Sequence, residues 1–336
     1  FNPIVDSMRG LCACSRFPKV QAEVCSRPIS LGSLSEAQSV FGFERLEQVF
    51  KRLAAEQIQH APRHEKFPPQ MLKMLFLVDS SIFHAVSRMA CAHWRSGQRK
   101  GSAVRLHLIF RVIDQVPADA VVSRAKLCER TALGMMVEPG EFYVGDRNYG
   151  RDYGLLERMD KEGCGYAMRM WEKTVITPIE DLPLNDEDRE AGVVSDQIVR
   201  LGAAKRWYLE PVRGIRIEKP ELDEPVIIAT NQLDPQDMSA RLVGEIYRSR
   251  WDIELFFRWL KCIFGRPNQW RWFAESPDGV GIQLYTTLIA SLLLARRLGK
   301  LPTKRMTESI RWHQAGMISD EELIRVVEFP PGKNQN

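Results

Sequence analysis

The chain has 336 residues, with 47 Lys and Arg against 43 Asp and Glu, a net charge of +4, and 44% hydrophobic residues. This ordinary globular composition supports one large or two modest domains and permits a nucleic-acid partner without pointing to one. The seven cysteines are scattered, odd in number and free of paired C-x₂-C spacing, which excludes a zinc site of that type and reads as reduced thiols in a cytoplasmic protein.

The start, FNPIVDSMRG, lacks the basic-then-apolar pattern of a signal peptide and lacks an initiator Met, so a truncated or processed chain is expected. Residues 1–65 are expected to be an N-terminal helical region. Ser33 and Glu36 have capping-box spacing there, ahead of Val40, Phe43, Leu46, Phe50 and Leu53 at helical intervals. The Pro-bearing HAPRHEKFPPQ marks a boundary. Strands follow: MLKMLFLVDSS, an apolar run ending in Asp79, then the alternating AVRLHLIFRVID, then ADAVVS, together an antiparallel meander. A helix around AKLCERTALGMMV, a turn at EPGE, a strand stopping at Asp146, a helix in RDYGLLERMDKEG and a strand in CGYAMRM complete residues 66–170.

Residues 171–231 carry short β-like runs (KTVIT, DQIVRLG, RWYLEPVRGIRIE, PVIIAT) between acidic and Pro-containing turns, and read as a mostly β insertion. Residues 232–299 are helical. DMSARLVGEIYRSRWDIELFFRWLKCIF begins at a cap, Asp237 or Ser239. GVGIQLYTTLIASLLLARRL is broken by Gln283, Thr286, Thr287 and Ser291, so a buried helix is expected and no membrane partner. The tail, 300–336, is polar with two short helical patterns.

The stretch YRSRWDIELFFRWLK combines ionisable groups with bulky aromatics. On one continuous helix at about 100° per residue, with Tyr247 at zero, Arg250, Glu254 and Lys261 fall at roughly −60°, −20° and −40°. The opposite side carries Ile253, Phe256, Trp259, Leu260 and Ile263, an apolar face for a core. Two readings of the charged face stand side by side. One is an i, i+4 Arg250–Glu254 salt bridge on a solvated helix, contributing about 0.3–0.5 kcal/mol. The other joins Glu254 to the strand-end carboxylates Asp79 and Asp146 as three hard oxygen donors for Mg²⁺, with cations offsetting an incoming phosphate. The pattern of three carboxylates favours the second.

These residues resemble the DDE transposases of bacterial insertion sequences, in particular the insertion-sequence-four family. The resemblance rests on VDSSIF at Asp79, RLHLIF, YVGDRNYG at Asp146, and the Y-x₂-R-x₃-E-x₆-K signature met by Tyr247, Arg250, Glu254 and Lys261. It implies an α/β fold: a ribonuclease-H-like mixed sheet flanked by helices, with a mostly β insertion between the fourth-strand region and the C-terminal catalytic helix. Asp79, Asp146 and Glu254 are then the catalytic residues and the ligands of two Mg²⁺ ions, which Mn²⁺ would replace. Tyr247, Arg250 and Lys261 would bind DNA near the transferred end. The expected partners are double-stranded DNA at element ends and target DNA, met by a dimer in the synaptic complex. The N-terminal region is a candidate DNA-binding part, and the protein would lie on the nucleoid when DNA-bound. The implied reaction is cleavage at element ends and strand transfer into a target, with a hairpin intermediate as one route. The rivals are a transposition-defective DNA-binding remnant and a ribonuclease-H-like nuclease without strand transfer.

Lesser candidates are Arg95, Arg99, Lys100 and Arg105, expected in a basic loop that either tracks a phosphate backbone or is solvated. Trp251 is read as packing against the sheet rather than lining the DNA face, and Trp171 and Trp207 as packing residues rather than stacking on an extruded base. His84, His93 and His107 are read as structural or DNA-contacting.

Overall fold

The computed structural model describes residue 5 and residues 7–57, 67–84, 93–96, 99–203, 206–208, 210–221, 223–266, 269–270, 272–274, 276–299 and 303–328. The N-terminal region is helical: α1 (Met8–Cys14), α2 (Pro18–Glu23), α3 (Leu31–Phe41) and α4 (Glu44–Gln57). Ser30, not Ser33, caps α3, its hydroxyl accepting from the Ser33 N–H at 3.0 Å. The run breaks at Gly42, whose φ of 59° ends the helix. Most of the boundary expected at HAPRHEKFPPQ lies outside the described residues.

After α5 (Pro69–Met74) come β1 (Leu75–His84), β2 (His93–Ser96), β3 (Arg99–Arg111) and β4 (Val116–Arg124). Then follow α6 (Glu129–Gly134), β5 (Phe142–Gly145), α7 (Arg147–Gly150), α8 (Tyr153–Lys161) and β6 (Gly165–Arg169). The four strands β1–β4 are antiparallel neighbours, while β5 joins β1 in parallel and β6 joins β5 in parallel. The resulting order β4-β3-β1-β5-β6 is the ribonuclease-H-like arrangement. Two expectations need correcting here. β1 runs on through Asp79 to His84, so this carboxylate stands mid-strand, opposite Leu108 of β3. Arg95 lies on β2, and Arg99, Lys100 and Arg105 lie on β3, so the basic segment is a strand pair rather than a loop.

The expected insertion holds β7 (Ile176–Asp181), α9 (Asp186–Glu190), β8 (Val193–Ala203), β9 (Arg206–Trp207), β10 (Val212–Ile217) and β11 (Val226–Thr230). These strands extend the same sheet beyond β6, in the order β6-β11-β10-β8-β7. Buried Arg213 of β10 ties this extension to the C-terminal part of the chain. It donates to Asp196 at 2.8 and 2.5 Å and to the Met238 carbonyl at 2.5 Å, just before the next helix. Arg213→Ala would strand the Asp196 charge inside, so a loss of about 3–5 kcal/mol is expected in urea unfolding. A change under about 1 kcal/mol would show that the pair contributes little.

The C-terminal helices are α10 (Ala240–Ser249), α11 (Trp251–Phe264), α12 (Pro277–Leu298), α13 (Lys304–Gln314) and α14 (Asp320–Glu328), with a small hairpin of β12 (Gly265–Arg266) and β13 (Gln269–Trp270). Ser239 caps α10, accepting from the Leu242 N–H at 3.2 Å. The expected continuous helix is broken at Arg250. The Ser249 hydroxyl donates to the Ile246 carbonyl at 2.6 Å, the acceptor an unbroken helix reserves for the Arg250 N–H. That N–H turns instead to the Tyr247 carbonyl at 3.1 Å.

One core lies between the sheet and α4, α10, α11 and α12, and a second lies between the other face and α6–α8. Ile253, Phe256, Trp259 and Leu260 are buried in the first, with Ile263 partly buried against it. This is the apolar face read from the sequence. The tail helix α13 holds α11 in place: Thr307 accepts from the Trp259 indole at 2.8 Å, and Arg311 donates to the last-turn carbonyls of Cys262 and Ile263 at 2.9 and 3.2 Å. α12 is long and apolar enough to cross a membrane by length and composition. Its Leu284, Tyr285, Leu288 and Leu292 are nevertheless buried, and the Tyr285 hydroxyl donates to the Ala120 carbonyl of β4 at 2.8 Å.

Candidate active site

Parallel pairing of β1 with β5 sets the geometry. Leu77 pairs with Val144, and Asp79 and Asp146 each lie two residues further on, so a shared register carries both carboxylates to the same edge of the pair. Asp146 ends β5 because it caps α7, accepting from the Asn148 N–H at 2.8 Å. The flanking glycines are required by close packing. A Cβ on Gly145 would come within 2.6 Å of Met168 Sδ, and one on Gly150 within 2.2 Å of the Arg169 carbonyl. Both contacts press the GDRNYG turn against β6.

Asp79 accepts from the Ser80 N–H at 2.7 Å. Burial pushes its carboxyl up to about 7, the Ser80 N–H opposes this, the Asp146 charge adds to it, Arg250 offsets part and Glu129 adds further. Buried Tyr149 feels Asp79, Glu129 and Asp146 together, and its phenol is held well above the usual range chiefly by burial. Acidic groups therefore crowd one spot.

Glu254 approaches on α11, with Arg250 at the helix junction. Arg250 donates to Glu254 at 2.5 Å, so the i, i+4 pair does form. The Arg250 guanidinium lies 5.8 Å from the Tyr247 ring centroid. It is thus shared between Glu254, the Tyr247 ring and the field of Asp79. Its Nε is buried without an acceptor among the described residues, as is that of Arg105, leaving donor capacity beside the carboxylates. Lys261, two turns further along α11, is partly exposed and makes no ion pair among the described residues.

The break at Arg250 distributes the four signature residues over two helices, with Tyr247 on α10, Arg250 at the junction, and Glu254 and Lys261 on α11. A cleft of about 850 Å³ opens between α10 and the sheet extension, lined by Lys219, Arg241, Tyr247, Arg248, Arg250 and Trp251 among others. Trp251 is 50% exposed beside Arg258, and Trp171 is 41% exposed beside Lys173, so neither packs in the core as expected. The side chains of Trp207 and His93 lie outside the described residues. His107 is buried, bonds Ser123 at 2.9 Å through Nε2, and is pushed down to about 4 by burial and then by Arg105, so it stays neutral. The His84 carbonyl accepts from the Trp272 indole at 3.0 Å.

The donor set suits a hard divalent ion only in part. Asp79 and Asp146 are adjacent carboxylates whose mutual repulsion a cation would relieve. Glu254, however, is turned to Arg250, and among the described residues no three His, Cys, Asp or Glu side chains are gathered closely enough for one ion. Glu129 of α6, which sequence reasoning passed over, accepts from the Ser80 hydroxyl at 2.7 Å and also from Arg105 and Asn148. A lone Glu at the start of a short helix has no sequence signal that marks it.

A ribonuclease-H-like sheet with an aspartate on one central strand and another just past the end of its parallel neighbour defines the class of domain. The model of the transposase DDE domain matches residues 71–293, and the chain belongs to that family. It is 23% identical over 272 residues to a Sinorhizobium fredii protein named as transposase y4zB, covering 78% of this chain and 71% of that one. It is 24% identical over 254 residues to a Geobacillus stearothermophilus protein named as transposase for insertion sequence element IS5377, covering 73% of this chain and 62% of that one. A Synechocystis protein named as transposase for insertion sequence element IS4SA is 35% identical over 85 residues, 24% of each chain. Among solved structures, a piggyBac transposase synaptic complex with hairpin DNA matches with a TM-score of 0.40 and 9% identity, over 76% of this chain and 51% of that one.

Proposed function

We propose that the chain is a DNA transposase that cleaves phosphodiesters at the ends of a mobile element and transfers the freed strand into target DNA. The observation that carries this reading is the shared register that brings Asp79 and Asp146 together on neighbouring parallel strands, with Arg250, the partner of Glu254, acting on Asp79. Asp79, Asp146 and Glu254 would hold divalent metal, Mg²⁺ or Mn²⁺, which when bound activates the attacking water or 3′-hydroxyl and stabilises the leaving oxygen. Arg250 neutralises Glu254 and would add positive charge near an incoming phosphate. Tyr247 supports that guanidinium with its ring and offers its hydroxyl to the DNA backbone. Lys261 supplies a second positive charge along the same helix.

In this reading residues 1–65 are a DNA-binding helical region, 66–170 and 232–299 are the two parts of the catalytic core, 171–231 are the insertion and 300–336 are the tail. The insertion is supported by its strands, which continue the sheet. The working form is a dimer bridging two element ends, on the nucleoid when DNA-bound, with a hairpin intermediate as one route.

The test is incubation of the purified chain with duplex element-end DNA and Mg²⁺ or Mn²⁺, followed by addition of target DNA. Nicked ends that become joined support the reading. Cleavage without joining would favour a nuclease of the same fold, and binding without cleavage a DNA-binding remnant. Lys261→Ala should weaken binding and reduce the slope of log K against log salt by about 1, because one phosphate contact is lost. An unchanged slope in a binding titration would remove Lys261 from the interface.

A further inference from the structure

We propose that Glu129 is a positioning residue for the Asp79 and Asp146 pair, acting from the opposite face of the sheet from Glu254. The inference rests on the functional reading above. Successive β1 side chains alternate between faces: Leu77 and Phe83, in phase with Asp79, join the core beneath α11, whereas Val78, in phase with Ser80, joins the core beneath α6. Glu129 opens α6 on that second face.

Its contacts are paired in a way that a simple ion pair does not require. The Ser80 N–H donates to Asp79 Oδ1 at 2.7 Å, and the Ser80 hydroxyl donates to Glu129 Oε1 at 2.7 Å. The Asn148 N–H donates to Asp146 Oδ1 at 2.8 Å, and the Asn148 amide donates to Glu129 Oε2. Each carboxylate of the pair is thus gripped by a residue whose own side chain is held by Glu129. Arg105 donates to Glu129 Oε1, and both side chains are more than four-fifths buried. Glu129 thus accepts from Ser80 and Arg105 through one oxygen and from Asn148 through the other. Two strand segments that approach only in the folded chain are fastened through one carboxylate.

Outer hydrogen bonds of this kind typically govern metal affinity or activity by 10–100-fold. The experiment is calorimetric titration of Mn²⁺ into the metal-free full chain, read alongside DNA binding without metal and cleavage with it. Glu129→Ala is expected to weaken Mn²⁺ binding about 10–100-fold with DNA binding unchanged. Glu129→Gln should recover part of this, because its carbonyl still accepts from Ser80 and Arg105 and the Asn148 amide can turn to accept. Ser80→Ala and Asn148→Ala each cut one tie and should weaken Mn²⁺ binding several-fold; they decide the matter if Glu129→Ala loses its cooperative unfolding transition. Wild-type Mn²⁺ affinity in all these variants, with a wild type that binds and cleaves, overturns the inference and leaves the transposase reading standing. A wild type that neither binds Mn²⁺ nor cleaves overturns both.

Discussion

Glu254→Gln is expected to abolish strand cleavage while element-end DNA still binds with nearly wild-type affinity. The substitution keeps the shape and an acceptor for Arg250 but removes the negative charge of the third proposed metal ligand. If that charge helps hold the reacting phosphate's metal, its loss removes several kcal/mol of transition-state stabilisation, about 10³-fold or more in rate. The phosphate contacts expected of Tyr247, Arg250 and Lys261 remain. Stability should change little, since Gln still accepts from Arg250 in this largely buried pair and the fold keeps its packing. Cleavage at a tenth of the wild-type rate or faster, in a single-turnover assay, would show that the Arg250–Glu254 pair is only a helix salt bridge.

Asp79→Asn should likewise abolish cleavage, yet stabilise the metal-free protein at alkaline pH. The Asp79 carboxyl is raised to about 7 in the fold, mainly by burial, against 3.8 ordinarily. Below about pH 4 both folded and unfolded chains hold the proton, and the group contributes nothing. Between 4 and 7 the unfolded chain ionises while the folded one resists, so stability falls as pH rises, and above 7 the loss is complete. Asn carries no such penalty and still accepts the Ser80 N–H. After allowance for relaxation and water penetration, a gain of about 1–3 kcal/mol over wild type is expected at pH 8, shrinking toward zero near pH 4. Urea unfolding in chelator at both pH values measures this. Mn²⁺ should then stabilise wild type and not the variant, as expected if Asp79 is a ligand and only the native state binds the ion. A pH-independent difference between the two proteins would refute the burial argument.

Both predictions turn on residues that could be singled out before any fold was known, and the reason is local. Asp79 and Asp146 each interrupt a strongly apolar run, a pattern that survives in one dimension, and Tyr247, Arg250, Glu254 and Lys261 fall within fifteen residues. The apolar face of α11 was legible for the same reason, since helical periodicity is a short-range property. Boundaries were less so. The strand through Asp79 extends to His84 because β3 pairs with it throughout, a long-range choice that β1 alone does not encode. The helix break at Arg250, where the Ser249 hydroxyl and not the Arg250 N–H is bonded to the Ile246 carbonyl, has no marker such as Pro or Gly in the sequence. The exposure of Trp171 and Trp251 reversed the expectation that large aromatics pack inside, because each lies along a cationic side chain at the surface instead.

What the sequence by itself determined is the family, since the segments around Asp79 and Asp146 and the Tyr-Arg-Glu-Lys spacing are matters of residue identity, and the central strand and helix segments, since their periodicities are local. What only the tertiary structure decided is how those groups are held. β7 to β11 continue the core sheet rather than standing apart from it, and Glu129 reaches the neighbours of both aspartates. Each of these depends on side chains brought together by strand order across long separations, and a carboxylate such as Glu129 acquires its role only from the donors that the fold places around it.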